Sequence, residues 1–409
     1  MKPKKLILTG MILAAGLFGL QAKAQSDSSS AESAKPRGSS TKFLLAGKAT
    51  ASWTNTMAHV DGSPDVKAHT FFPDGLMLMP LVKLNDRLFL DAQIELAAND
   101  GIGAGATMNL NEIIMYYRLA PNLNIMFGNF SPKHGLYLGV LDDFTNRYAT
   151  DPIGVSRGPQ TQTGIGIQGG LQLGYSKMNY QVYLSNGPRY IVDSTGATHG
   201  QMGYDNYTDN NKNKAIGGSI GFLPFSNSSL QIDVSGQYAG KTGNDGTPFE
   251  SLSSYSWAAD LNYYHSFNPI TVRVLTEYNF TKTANNNLFT NSADTAKLIP
   301  SFNNQFSGWF CGATIRPSGL KNKFVKRLEL GGRVGAYTPP TFDTPQTVPG
   351  PNGTNLMVSP WGENPKTQTT VCLTYWMTWK TPLNIAYDVI KEKDGATVTT
   401  YTARFIYFF

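Results

Sequence analysis

About sixteen segments of this chain alternate apolar and polar residues with period two, and the connections between them alternate short and long. Successive side chains of a strand point to opposite faces, so each segment has one greasy side and one polar side. In "LFLDAQIELA", Leu88, Leu90, Ala92, Ile94 and Leu96 oppose Asp91, Gln93 and Glu95. In "LQIDVSGQYA", Leu230, Ile232, Val234 and Tyr238 oppose Gln231, Asp233, Ser235 and Gln237. "ITVRVLTEYNF" and "LELGGRVGAY" repeat the pattern, with Arg273 and Glu277, then Glu329 and Arg333, on the polar side.

The predicted strands fall near 42–56, 72–84, 87–98, 106–119, 122–130, 161–175, 179–186, 213–224, 229–240, 253–266, 269–282, 303–316, 325–338, 366–379, 383–392 and 396–409. Their lengths suit the ~9–11 residues that a tilted strand needs to cross a bilayer. Tight joints are expected at Asn85-Asp86, Pro121-Asn122, Ser176–Met178, Phe225–Ser228, Asn268-Pro269 and Lys380–Pro382, with a longer one at Pro317–Phe324. Long joints are expected at 57–71, 131–160, 187–212, 241–252, 283–302 and 339–365, with short exceptions near Asn99–Gly105 and Lys393–Gly395. Short turns at one end and long loops at the other predict an all-β fold: a transmembrane antiparallel barrel with periplasmic turns and extracellular loops. Within lipid every backbone polar group must be paired internally, so the last strand must close on the first. The final residues "YTARFIYFF" fit that role, with Tyr401, Ala403, Phe405, Tyr407 and Phe409 on one face. Ending on Phe409 also resembles the signal read by the barrel assembly machinery of the outer membrane.

The amino end is consistent with that compartment. Lys2, Lys4 and Lys5 precede an apolar run from Leu6 to Leu20, followed by small residues Ala22 and Ala24. This predicts a signal peptide over 1–24. A Ser-rich polar stretch over 25–41 reads as a flexible periplasmic segment, and 42–409 as one barrel domain. The full chain carries 34 basic and 28 acidic residues. Removing Lys2, Lys4, Lys5 and Lys23 leaves 30 against 28, about +2, which gives no case for nucleic acid. Cys311 and Cys372 lie on separate predicted strands; an oxidising compartment permits a disulfide, and the spacing requires neither that nor a metal.

The stretch "FGNFSPKHGLYLG" (Phe127–Gly139), with Gly128, Phe130, Pro132 and Gly135, resembles part of the phosphate-selective porin O/P family. "YLSNG" (Tyr183–Gly187) resembles a later strand of that family. The resemblance implies a sixteen-stranded porin, a homotrimer passing small anionic solutes, with the loop after the fifth strand folded into the lumen; the ending "AKAQ" of the expected signal peptide fits a Bacteroidetes-like Gram-negative source. That loop, 131–160, holds Lys133, His134, Asp142, Asp143, Arg147, Asp151 and Arg157 as candidate constriction residues. Phosphate selection calls for several basic residues there. This set is balanced, which predicts a transverse field and weak selectivity.

With the greasy face outward, the lumen wall is expected to carry Lys48, Asp91, Glu95, Glu112, Asp233, Asp260, Arg273, Glu277, Arg333, Asp388 and Arg404. A lipid-facing Arg or Lys at mid-depth costs about 2–4 kcal/mol, which forces them inward. Trp53, Trp257, Trp309, Trp376, Trp379, Tyr401, Tyr407 and Phe409 are expected in interfacial girdles, and Tyr116 and Tyr264 inside. Catalysis is not expected. His265 and Ser266 alternate to opposite faces, and His59, His69, His134 and His199 are expected in loops. The expected function is passive diffusion of small hydrophilic solutes or ions, phosphate among them, through a lipid-embedded barrel without a cofactor. The alternative is a surface-binding, adhesin-type barrel whose long polar loops hold a partner.

Overall fold

Sixteen antiparallel strands form a closed barrel in the computed structural model. It describes residues 42–60, 62–98, 106–136, 146–154, 158–191, 201–204, 207–209, 211–243, 245–246, 250–284, 302–342, 347–349, 355–357, 363–393 and 395–409. The segments expected as signal peptide (1–24) and periplasmic stretch (25–41) lie outside the described residues.

The strands are β1 (Lys42–His59), β2 (Val66–Lys83), β3 (Leu88–Ala98), β4 (Ala106–Ala120), β5 (Leu123–Phe130), β6 (Gln162–Leu173), β7 (Ser176–Ser185) and β8 (Ala215–Leu223). They continue as β9 (Leu230–Ala239), β10 (Ser254–Phe267), β11 (Ile270–Thr283), β12 (Gln305–Arg316), β13 (Leu328–Thr338), β14 (Lys366–Thr378), β15 (Thr381–Glu392) and β16 (Thr397–Phe408). Each pairs with its chain neighbours, and β16 closes on β1 with Ser52 opposite Arg404 and Lys48 opposite Phe408. Phe409 extends the closure: its amide donates to Gly47 O (3.1 Å), and Gly47 N donates to Phe409 O (3.3 Å). A Cβ on Gly47 would stand 2.5 Å from the Phe409 ring, so the glycine makes room for the aromatic that ends the chain.

Burial follows the alternation, with the usual polarity reversed. Ile232, Val234, Tyr238, Leu330 and Val334 are exposed on the outer wall, while Asp233, Ser235, Gln237, Glu329 and Arg333 are buried inside. A water-soluble sheet would place these sets the other way round; a barrel in lipid requires this arrangement.

Bulges adjust the phase where simple alternation would fail. Between β3 and β4 the register passes from Gln93↔Glu112 to Ile94↔Leu110, leaving Asn111 as the extra residue. Met108 and Leu110 face outward before it, and Ile113, Met115 and Tyr117 after it. The one-residue insertion puts Glu112 on the inner face. A second bulge, between Thr50 and Ala51, sits opposite Gly75 and Pro73 on β2.

Several expectations need correction. β2 begins at Val66, six residues before its predicted start, so His69 lies on a strand, as does His59 at the end of β1. The β6–β7 turn is at Gly174-Tyr175 and the β14–β15 turn at Trp379-Lys380, each earlier than expected. The long connections are not simply polar loops. Among the described residues they carry three short two-stranded ladders, Arg189–Tyr190 with Met202–Gly203, Phe302–Asn303 with Thr341–Phe342, and Thr347–Pro349 with Asn355–Met357. Tyr190, Met202, Tyr204, Leu252, Phe306 and Tyr337 form an apolar cluster at that end, with Ile153 packed against it.

A candidate pore constriction

The β5–β6 connection enters the barrel. Residues 131–136 run along the inner wall from β4 to β11. Ser131 N donates to Glu112 Oε1 (3.0 Å), Lys133 N to Gln181 Oε1 (2.9 Å), Gly135 N to Ser235 Oγ (3.0 Å) and Leu136 N to Glu277 Oε2 (2.8 Å). Gly135 has φ +68° and lies so close to Glu277 that a Cβ would meet its carboxylate at 2.5 Å; only glycine suits both demands.

Residues 146–154 rest on the other half of the wall, β12 to β16. Arg404 Nη2 donates to Asn146 O (2.9 Å). Arg333 donates through Nη1 to Thr150 O (2.9 Å) and through Nη2 to Thr150 Oγ1 (3.0 Å). Gln368 Nε2 donates to Asp151 O (3.0 Å), and its Oε1 accepts from Ile153 N (3.0 Å). Under Tyr148 the wall is built of small residues. A Cβ on Gly312 would stand 2.5 Å from the Tyr148 hydroxyl oxygen, and one on Gly308 2.9 Å from Gly154 O. Cys372 and Ala386 complete this niche, and the Arg333 guanidinium lies 4.9 Å from the Tyr148 ring centre. Burial pushes the Tyr148 phenol above its usual range.

The candidate loop residues occupy unlike positions. Lys133 Nζ lies 2.6 Å from Asp233 Oδ1, a nearly enclosed ion pair. His134 is buried, and among the described residues its ring nitrogens have no hydrogen-bond partner. Burial alone depresses it to about 3. Arg147 lies over the Trp376 ring at 4.6 Å, with its Nε 3.9 Å from Glu329 Oε2. Asp151 borders open space. Asp142, Asp143 and Arg157 lie outside the described residues.

That open space is a cavity of about 260 Å³ between Ala149, Thr150 and Asp151 of the loop and the inner wall of β16, β1, β2 and β3. Lys48, Glu95 and Arg404 reach it from the wall, beside Met77 and Ile406. In register, Met77 stands between Lys48 on β1 and Glu95 on β3. The gap therefore carries Lys48 and Arg404 against Glu95 and Asp151.

Charge on the rest of the wall is segregated. Asp91, Glu95, Glu112, Asp233, Asp260 and Glu277 line β3 to β11. Asp233, Asp260 and Glu277 stand in one register row across β9, β10 and β11. Lys133 reaches Asp233, and among the described residues Asp260 receives no donor. Arg273, Arg316, Arg333, Arg404 and Lys48 line β11 round to β1, with Glu329 and Asp388 among them. Gln368 Nε2 donates to Asp388 Oδ2 (3.0 Å).

Trp376 corrects the girdle expectation. It is buried inside, where its Nε1 donates to Glu329 Oε2 (2.9 Å) and Arg316 lies 5.2 Å from its ring. It shares strand parity with Thr370 and Thr374, both buried inside, so alternation alone places it there. Arg316, Glu329 and Trp376 form a cluster that strand periodicity alone does not bring together. Trp257, Trp309, Trp379, Tyr401 and Tyr407 are exposed on the outer side. Trp53 packs on Phe71 with ring centres 6.2 Å apart. Tyr116 packs inside against Ile114, Met126, Phe130 and Tyr183, and Tyr264 stands opposite Arg273. The cysteines are free, Cys311 exposed and Cys372 buried.

The fold is similar to that of the outer membrane channel DcaP of Acinetobacter baumannii, with TM-score 0.56 and 12% identity, covering 90% of this chain and 97% of that one. It is also similar to the anion-selective porin from Comamonas acidovorans, with TM-score 0.52 and 13% identity, covering 90% of this chain and 100% of that one. No protein-family model and no curated protein sequence matches the chain. These likenesses place the chain in a structural class, the sixteen-stranded outer-membrane barrel of porin fold. At this level of identity the likeness is one of fold.

Proposed function

We propose that the chain is an outer-membrane porin, a passive water-filled channel for small hydrophilic solutes. The observation that carries this reading is the gap beside Ala149–Asp151, bordered by Lys48, Glu95, Asp151 and Arg404. In this reading the internal loop narrows the lumen and those four side chains filter what passes. Lys133 and His134 hold the loop in place. Arg147 belongs to the Trp376–Glu329 cluster on the wall. Two cations facing two anions produce a transverse field and weak ion preference, so phosphate is one permeant among others. The reading involves no chemical step and no cofactor.

Single-channel recording in a planar bilayer tests it, with reversal potential measured across a KCl gradient. Large steady steps with a small reversal potential are expected. A folded, inserted barrel that passes no current would overturn the reading. Current blocked by millimolar phosphate but not chloride would replace weak selectivity with the narrower phosphate-selective activity.

A further inference from the structure

The β12–β13 turn differs from every other short turn of the barrel. Its sequence, "PSGLKNKFVKR" (Pro317–Arg327), contains Lys321, Lys323, Lys326 and Arg327 and no acidic residue. Within the described residues none of these four side chains has an ion-pair partner. The nearest carboxylate in sequence, Glu329, is buried on the inner face and bonded to Thr314 and Trp376. The turn also leaves two large apolar residues in the open, Leu320 (40% exposed) and Phe324 (59%).

This turn is a built platform. Asn322 Oδ1 accepts from Phe324 N (2.9 Å) and Val325 N (3.1 Å). Gly319 N donates to Pro269 O (2.8 Å) in the β10–β11 turn, and Arg316 Nε donates to Lys326 O (3.0 Å). The turn is thus held along the barrel rim. Phe324 packs on Tyr375 with ring centres 5.4 Å apart. Tyr375 shares strand parity with the exposed Val371 and Leu373, which puts Phe324 beside the lipid-facing wall. In the next hairpin Trp379 is 56% exposed, with Lys380 Nζ 5.1 Å from its ring centre.

An apolar edge continuous with the lipid-facing surface, bearing a set of unpaired cations, matches the chemistry of a phospholipid: hydrocarbon beside an anionic phosphate. Short turns of such a barrel face the periplasm. Each Lys or Arg near an anionic leaflet adds attraction, and aromatic side chains favour the headgroup level. A soluble anion would account for the cations and leave Leu320 and Phe324 in water. We propose that the β12–β13 turn is a docking site for an anionic phospholipid of the periplasmic leaflet, its phosphate among Lys321, Lys323, Lys326 and Arg327 and its acyl region against Leu320 and Phe324.

The test is native mass spectrometry of the detergent-purified full-length barrel, titrated with phosphatidylglycerol or phosphatidylcholine. Wild type is expected to retain phosphatidylglycerol with a preference of about tenfold, the scale of a few surface cations at low salt. The K321Q/K323Q/K326Q/R327Q variant should lose the preference, and L320S/F324S should hold both lipids more weakly. A quadruple variant that keeps the preference overturns the proposal. So does displacement of the lipid by an equal concentration of inorganic phosphate, or binding of soluble peptidoglycan fragments in place of lipid. A denaturant midpoint of the quadruple variant equal to that of wild type verifies its fold. The proposal does not rest on permeation: a barrel that selects the lipid but passes no current would sink only the channel reading.

Discussion

Tyr148 of the internal loop stands over Gly312 of β12 at a separation that admits no side chain, since a Cβ there would lie 2.5 Å from the phenolic oxygen. The loop is therefore fitted to its wall by what the wall lacks. Tyr148 also donates to Gly332 O (3.3 Å), so displacing the ring breaks a hydrogen bond as well as a packing contact. Gly312→Leu should disfavour loop seating by about 1–3 kcal/mol, the usual cost of overpacking. Each ~1.4 kcal/mol shifts the seated-to-displaced ratio about tenfold. The expected result is a folded barrel with larger, noisier single-channel steps. Unchanged steps would show that the loop does not limit the current.

The gap makes a prediction of opposite signs. Lys48 and Glu95 flank Met77 in register and face the same opening. Lys48→Gln should move the reversal potential toward cation preference, and Glu95→Gln toward anion preference. The shifts should shrink as salt rises, because screening lengths fall from about 10 Å at 0.1 M to about 3 Å at 1 M. Shifts of the same sign in both variants would place the filter elsewhere.

Carboxyl groups face each other across the strands at Asp233, Asp260 and Glu277, with Lys133 beside them. Directly opposed like charges destabilise a sheet, by up to about 1 kcal/mol per pair. Asp260→Asn should stabilise the barrel by about that amount, read as a higher denaturant midpoint. Lys133→Gln should do the reverse and more strongly, about 3–5 kcal/mol, because it leaves Asp233 enclosed without its partner. A lower midpoint for Asp260→Asn would mean that the row is stabilising as it stands.

Alternation made the wall legible because a period of two is enforced at every position by lipid on one side and water on the other. Each of Lys48, Asp233, Asp260, Glu277, Arg333, Asp388 and Arg404 could be assigned a face from parity alone, and each is buried. Parity fails where one residue is inserted: nothing in "MNLNEIIMYY" marks Asn111 as the extra residue, and the bulge is visible only in the pairing with β3. Trp376 departs from the girdle for another reason. Its residue type suggested a girdle, while its parity, the stronger constraint, put it beside Glu329. The gap was the least legible feature, since Lys48, Glu95, Asp151 and Arg404 come from three strands and a loop that sequence spacing does not join.

His134 gives the loop a pH dependence whose direction can be worked out. It is enclosed beside Gly158, where a Cβ would meet its ring at 2.5 Å, so the residue links the two ends of the loop. Burial depresses its pKa from 6.5 to about 3. Between those values the displaced, solvated loop holds a proton that the seated loop does not. Seating must therefore weaken as pH falls through that window, by up to ~1.4 kcal/mol per pH unit for the one proton, and be unaffected above it. Conductance recorded from pH 7 to pH 4 should show growing excursions to larger steps in wild type. The discriminating measurement is His134→Phe, which keeps a ring and removes the titrating group. If the excursions persist unchanged in that variant, His134 is not the group that releases the loop; if they disappear, the buried imidazole is.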